Sequence, residues 1–581
     1  MTGVATFAVI IGIVSDKISS GVESVRTTND RVQEVGHTVI VNWGDFTRPM
    51  MRQLEAARKE GRLTGPVVVL SETEKEDMDE AVAEELRNMA AGLTVHTRFG
   101  SPVELSAMDR VAAGTANRII VIPGDGQDDE TQSERLRETT GLTLALQRGI
   151  RDRPEKRASV VVSAPPTYKS DVVDHVDGFK SYAEVKPQDF ISRILAQCSV
   201  TPALSHVYAE LLLQGRGEEI YTEPLLAYKS LHGMTFAEVS RRFGGRAIPI
   251  GVVRGVPADA ADAAAASGEE EVVLAPPEDL IVGKHDSIVL IAGDKSATRV
   301  TRARKAASAK ALAAAQEAAE QGAAATAKAS TTESPLRILL LNADPTMPDV
   351  IEQIDEVCPR GSKITLLAPE TPELMGRKHG LVNTKLSFVP GDPASPASIA
   401  KLRPEDFDAV VCLQPGGGTE ADDSKLLVSL LSLQQSARAR GVAVPRVVAE
   451  VHSPSMLDLI SSRWPGEASK WDFVLPHELC AGILVQFALQ PELRPIYTEL
   501  LQPNGKEFFM QPAERYCTTA DLAANARGVT FEQLARAARA RGEVAIGVHR
   551  VGQERPHLNP PRDLRLKLQP GDQLVILGDA F

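Results

Sequence analysis

No segment of this sequence is apolar for long enough to cross a bilayer unaided. The longest uncharged apolar run, residues 4–14 (VATFAVIIGIV), falls well short of the roughly 20 residues a spanning helix needs. It has neither the basic n-region nor the small-residue cleavage site of a signal peptide. Two readings remain, the tail of a membrane helix or a buried N-terminal element. Cysteine is also scarce. Cys198, Cys358, Cys412, Cys480 and Cys517 are scattered, odd in number and free of any C-x-x-C pair, which excludes a disulfide framework or a cysteine zinc site and suits a reducing compartment. Such thiols are expected to act as small buried hydrophobes. An excess of basic charge is missing too: 64 Lys and Arg face 77 Asp and Glu, for a net charge of -13, so no nucleic-acid partner is expected. Catalytic signatures are absent, with no H-E-x-x-H, no G-x-S-x-G and no Walker glycine loop. His96, His206 and His452 lie in apolar contexts and read as structural residues.

What the chain does have is length and a repeat. At 581 residues it should hold three or four packed units, and 43% hydrophobic residues exclude wholesale disorder. The run Gln197, Pro202, Leu204, Tyr208, Glu210, Leu212 returns as Gln486, Pro491, Leu493, Tyr497, Glu499, Leu501. Thr235-Phe236 with Gly251 and Arg254 returns as Thr530-Phe531 with Gly547 and Arg550, and Asp286 with Asp294 returns as Asp572 with Asp579. Order and approximate spacing persist while identities drift, the signature of duplicated architecture.

In front of each repeated block, short apolar runs alternate with helical segments. The runs are 38–42, 66–70, 94–97, 118–122 and 159–162 in copy one, and 337–342, 364–368, 386–389, 409–413 and 446–449 in copy two. Continuous Val, Ile and Leu separated by helices imply strands buried on both faces. The expected fold is α/β, with tandem Rossmann-like doubly wound parallel sheets, each followed by a smaller α+β lobe. Boundaries are placed at 1–35 (apolar run and amphipathic helix), 36–170 and 171–300 (first pair of lobes), 301–334 (alanine-rich linker), and 335–465 and 466–581 (second pair).

The first strand-to-helix turn is where a Rossmann lobe would grip a dinucleotide, and G-x-G-x-x-G is missing from both copies. One reads Asn42-Trp43-Gly44-Asp45 and the other Asn342-Ala343-Asp344-Pro345, so no NAD is expected. A different small ligand would meet Asn42, Gly44, Asp45, Gly124 and the strand-end carboxylate Glu72, whose counterpart is Glu370. Both glutamates also fit as solvated strand ends. After the fourth strand each copy carries an acidic glycine-rich turn, with Asp125, Asp128 and Asp129 in one and Glu420, Asp422 and Asp423 in the other. Hard oxygen ligands at such a turn suit calcium. Acids at a helix N-terminus serve equally well as caps.

One further set of residues points to a family. His37-Thr-Val-Ile-Val-Asn-Trp43-Gly-Asp45, Val67-Val-Val-Leu-Ser-Glu72, Lys75 to Met78, Gly100-Ser-Pro102, Ala116-Asn-Arg118, Gly124-Asp-Gly126 and Ser133-Glu-Arg135-Leu136 occur in the order in which similar stretches occur in plant CASTOR and POLLUX channels. The chain resembles the cytosolic part of that family along essentially its whole length. It departs where Asn42 stands in place of a first-turn glycine. The resemblance implies tandem regulator-of-conductance modules forming a homotetrameric gating ring on a cation channel, with calcium as a ligand of the ring. It further implies a tie to an intracellular membrane, nuclear or plastid envelope, through an N-terminal pore helix, and residues 16–34 as the helix that transmits gating. A TrkA-like peripheral regulator of a potassium transporter, or a non-channel Rossmann ligand-binding protein, is the alternative.

Overall fold

The computed structural model describes residues 29–579 except 88, 91, 125–128, 149–156, 167, 169–178, 244, 256–270, 301–333, 344–345, 371–379, 415–419, 469, 502–504 and 518–527. The apolar N-terminal run, most of the proposed transmitting helix and the alanine-rich linker therefore lie outside the described residues. The chain divides into two compact units, residues 1–186 with 480–491, and residues 187–479 with 492–581.

In the first unit, six parallel strands stand in the order β3-β2-β1-β4-β5-β6. They are β1 (Thr38–Val41), β2 (Val67–Ser71), β3 (Val95–Phe99), β4 (Arg118–Val121), β5 (Ser159–Ser163) and β6 (Ser181–Val185). The inner strands β1, β2 and β5 are buried at every residue, as helices on both faces of a parallel sheet require. The edge strand β3 is only partly buried and correspondingly mixed in sequence. The helix Thr47–Lys59 turns Met50, Met51 and Leu54 inward. The segment 480–491 belongs to this unit, where the Gln490 side-chain Oε1 accepts from Arg62 at 3.2 Å.

The second unit repeats the sheet with β11 (Arg337–Leu341), β12 (Ser362–Ala368), β13 (Thr384–Pro390), β14 (Ala409–Cys412), β15 (Val447–Glu450) and β16 (Asp472–Val474), in the order β13-β12-β11-β14-β15-β16. The helix Pro187–Val200 packs against the helix Met347–Val357 beside this sheet. Its residues Ile191–Ser199 are all buried, so it is enclosed on every side rather than laid on a surface.

The same unit holds both smaller lobes. The first is an antiparallel sheet β7-β10-β8-β9, built from β7 (Glu219–Pro224), β8 (Ala247–Val253), β9 (Val272–Leu274) and β10 (Ser287–Ala292). The second is β17-β22-β19-β20, from β17 (Lys506–Pro512), β19 (Val544–His549), β20 (His557–Leu558) and β22 (Gln573–Asp579), with β18 (Val529–Thr530) paired to β21 (Arg565–Leu566).

The repeated residues now have physical roles. Thr235 and Thr530 each close a reciprocal capping box, with Glu238 and Gln533. Gly251 and Gly547 lie under the next strand, where a Cβ would come within 2.8 Å of the Val273 carbonyl oxygen and 2.7 Å of that of His557. Asp286 accepts from the Gly283 and Gly255 amides and from Arg254, and Asp572 accepts from the Gln569 and Val551 amides beside Arg550. Each aspartate thus locks a turn to an arginine strand end.

The tandem parallel sheets agree with the expected fold class. They differ from the expected limits in that each has six strands instead of five, reaching Val185 and Val474, past residues 170 and 465. The added strands, SYAEV and DFV, are short and half polar and offer no continuous apolar run to read. All five cysteines are free and buried.

Candidate functional site

In the order 3-2-1-4-5-6 the chain leaves β1 toward one edge and β4 toward the other, which opens a crevice between their C-terminal ends. In the first unit that crevice is lined by Asn42, Pro102, Ile122, Gly124, Gln132 and Arg135, among others, and encloses about 20 Å³. That is room for one or two waters.

Asn42 closes its floor. Its backbone is left-handed, φ 76°, a conformation that asparagine tolerates better than most residues. The turn places its side-chain nitrogen 2.7 Å from the Ile122 carbonyl oxygen, so the amide donates from the end of β1 to the end of β4. Asn342 does the same in the second unit, with φ 72° and a 3.0 Å bond to the Leu413 carbonyl oxygen. Where a phosphate-binding turn needs bare glycine backbone, both copies carry an asparagine that staples the two central strands.

Above the floor, Arg135 on the helix Asp129–Arg148 reaches Glu72 at the end of β2 with two parallel bonds of 2.7 and 2.9 Å. The hydrogen bonds from Arg135, and then one from Ser101, hold the Glu72 carboxyl below its ordinary range. Glu72 is therefore a clasp partner in this structure rather than a free strand-end carboxylate. Gly44 donates its amide to the Thr47 hydroxyl at the start of the following helix. Asp45 is exposed at that turn, and Gly124 faces the Asn42 amide from the opposite wall.

At the corresponding strand ends of the second unit lies a buried polar network. Asp423 accepts from the Gln414 side chain at 2.9 Å and from the amides of His452 and Ser453 at 3.0 and 2.8 Å. Gln414 also donates to the Glu450 carbonyl oxygen. The His452 and His477 rings lie 4.7 Å apart, tilted by 48° to one another. Burial, reinforced by His477, pushes the His452 pKa down to about 4, so the ring is neutral at pH 7. Asp422 is buried and pairs with Lys425 at 2.9 Å. Glu370 is exposed.

Of the residues read as metal ligands, Asp422 is thus paired with Lys425, and Asp423 holds Gln414 and the His452 and Ser453 amides. Asp129 and Glu420 open the helices Asp129–Arg148 and Glu420–Arg440, but their side chains, like all of Asp125 and Asp128, lie outside the described residues. Among the described residues no group of three or more His, Cys, Asp or Glu side chains is placed to hold a metal. Sequence reading missed Gln414 and Glu450, whose roles emerge only once the strand order brings β14 beside β15. It also missed Arg135 as a clasp partner, although the run Ser133–Leu136 was already singled out.

Similarity to known proteins narrows the reading. A family profile described as "Castor and Pollux, part of voltage-gated ion channel" matches residues 188–308. Over the full chain the sequence is 26% identical to the probable ion channel POLLUX of Arabidopsis thaliana and 25% identical to its namesake in Oryza sativa subsp. japonica, spanning 69% and 58% of those proteins. It is 24% identical to the ion channel CASTOR of Lotus japonicus, over 99% of the chain and 66% of that protein. The chain is CASTOR/POLLUX-like. The fold of this CASTOR/POLLUX-like chain also matches the human SLO3 gating ring, with a TM-score of 0.64 over 94% of the chain and 99% of that structure, at 13% identity. No helix among the described residues is long and apolar enough to cross a membrane.

Proposed function

We propose that this chain is the gating-ring region of a cation channel, a non-enzymatic regulator that senses an ion or small ligand and passes the change to a pore in an intracellular membrane. The observation that carries the reading is whole-chain: tandem lobes in gating-ring order, on a sequence similar throughout its length to plant ion channels. The sheet crevices support regulation over redox catalysis, since an asparagine staple stands where a dinucleotide would need glycine. Calcium is the proposed ligand, held at the acidic turn containing Asp125, Asp128 and Asp129, and four copies form the ring. A ligand gates only through unequal affinity for two ring states.

Light scattering and thermal melting of the chain, in calcium and in chelator, test this. Calcium should favour a tetramer and raise the melting temperature, and exchange of Asp125, Asp128 and Asp129 for Asn should remove that rise. A monomer under every condition would overturn the ring, and a calcium response unchanged in the triple variant would overturn the site.

A further inference from the structure

The two smaller lobes meet inside the second unit, and the loop after β20 forms part of their seam. Asn559 of that loop donates its side-chain nitrogen to Glu218 Oε2 at 2.8 Å and to the Arg246 carbonyl oxygen at 2.9 Å. Three residues on, Arg562 donates to the Ala247 carbonyl oxygen at 3.3 Å. The second lobe thus grips the first at the start of β8 and just ahead of β7.

Glu218 is a poor place for a negative charge. It is half-buried and makes no ion pair among the described residues. Glu210, on the helix Leu204–Leu212, accepts from the Glu218 amide at 3.2 Å. It packs so closely under that turn that a Cβ on Gly217 would come within 2.6 Å of its Oε1. Asp294, after β10, is a third carboxylate beside Glu218. The cations at hand are engaged elsewhere: Arg246, largely exposed, lies 3.6 Å from Asp294, and Arg555 of the second lobe acts on Glu210. Asn559, which bonds Glu218 across the seam, is uncharged. Burial first, and then Glu210 and Asp294, push the Glu218 pKa up to about 7, against the opposing pull of the Asn559 bond and Arg246.

We propose that the seam between the smaller lobes is a proton-operated joint, in which protonated Glu218 holds the Asn559 loop against the first lobe and ionised Glu218 lets it part. A neutral carboxyl still accepts from Asn559 through its carbonyl oxygen and does not repel Glu210 or Asp294. Ionisation sets a third negative charge in a half-buried place, and parting the lobes relieves that cost by readmitting water. A group whose pKa is higher in the joined state than in the parted one favours joining while it keeps its proton. The joint is therefore tightest below about pH 4.5 and loosens as pH rises through about 7. That sign is opposite to the one at His452, where burial favours loss of the proton, so the measurement must report the seam and not the whole chain. This inference is independent of calcium at the acidic turns and of oligomerisation.

Hydrogen exchange of the intact chain between pH 5.5 and 8.5, corrected for the intrinsic effect of pH on amide exchange and read segment by segment, tests it. Opening of residues 216–220 and 557–562 should rise roughly tenfold across that range, while the buried strands of the second unit's parallel sheet show no such rise. Glu218→Gln keeps an acceptor for Asn559 and cannot ionise, so both segments should stay at their low-pH protection throughout. Asn559→Gly tolerates the left-handed backbone at that position, φ 43°, and removes the bond, so both segments should be loosened at every pH. Flat protection in the parent, or a rise that persists in Glu218→Gln, would overturn the proposal. Calcium protection of the same segments at pH 8 that disappears in Glu218→Gln would overturn it as well, by making the three carboxylates a cation site.

Discussion

The two parallel sheets share a strand order and a left-handed asparagine at the same turn, yet side chains of different character close their crevices. In the first unit the closure is a half-exposed Glu72–Arg135 clasp. In the second it is a buried network centred on Asp423, which is 0% exposed. A bidentate pair in water can open at little cost, whereas a buried carboxylate holding three donors cannot release them without leaving each unsatisfied. Duplication has therefore kept one strand order while placing a half-exposed ion pair at one set of strand ends and a buried network at the other. The shared asparagine is scaffold, and the side chains above it set the behaviour.

The largest test of that contrast removes the central carboxylate of each. Asp423→Ala should cost about 3–5 kcal/mol, because it orphans buried donors, while Glu72→Ala should stay within about 1 kcal/mol. Denaturant unfolding can report the units separately, through Trp464 and Trp471 in the second core and Trp43 in the first unit. Equal losses would erase the distinction.

Acid should separate the units next. His452 is neutral when folded, with its pKa lowered to about 4 from 6.5, so between these values the unfolded chain takes up a proton that the folded one refuses. The stabilisation is complete above about pH 6.5 and is lost as pH falls toward 4, amounting to about 3 kcal/mol. Glu72, also lowered from its ordinary value, contributes above pH 4.5 and loses that contribution only as pH falls further, through its folded pKa. The second unit should thus weaken first on acidification, and His452→Gln should flatten its acid limb. An unchanged limb in that variant would place the acid sensitivity elsewhere.

The smallest effect tests what the units have in common. Asn42→Ala and Asn342→Ala should each cost about 2 kcal/mol, combining a lost hydrogen bond with left-handed strain. Glycine at either position should cost about 1 kcal/mol less, having no strain to bear. If alanine and glycine behaved alike, left-handed geometry would not be what selects asparagine.

The parts of this molecule that the sequence makes legible are those written in local pattern. Fully buried strands such as VVVLS of β2 read as parallel core at once, and the Thr235/Thr530 and Asp286/Asp572 pairs announce the duplication by spacing. Strands β6 and β16 escaped because edge strands alternate and need no apolar run. The Arg135–Glu72 clasp escaped for a different reason: its partners are 63 residues apart and meet only when β4 is laid beside β1. The acidic turn of copy two was ambiguous between cation ligand and cap, since both uses need the same residues. Three hydrogen bonds to Asp423 give it another use, tying Gln414 to the loop after β15, and no composition or spacing carries that information.

The grouping of residues 480–491 with the first unit has a consequence for synthesis. Residues 1–186 leave the ribosome long before the segment that completes them, which follows roughly 300 residues later in the chain. At about 5–20 residues per second, the nascent sheet waits ~15–60 s for its last piece. During that interval Arg62 is without its Gln490 partner. A message cut short before residue 480 would thus yield a first unit missing a piece of its own contact network.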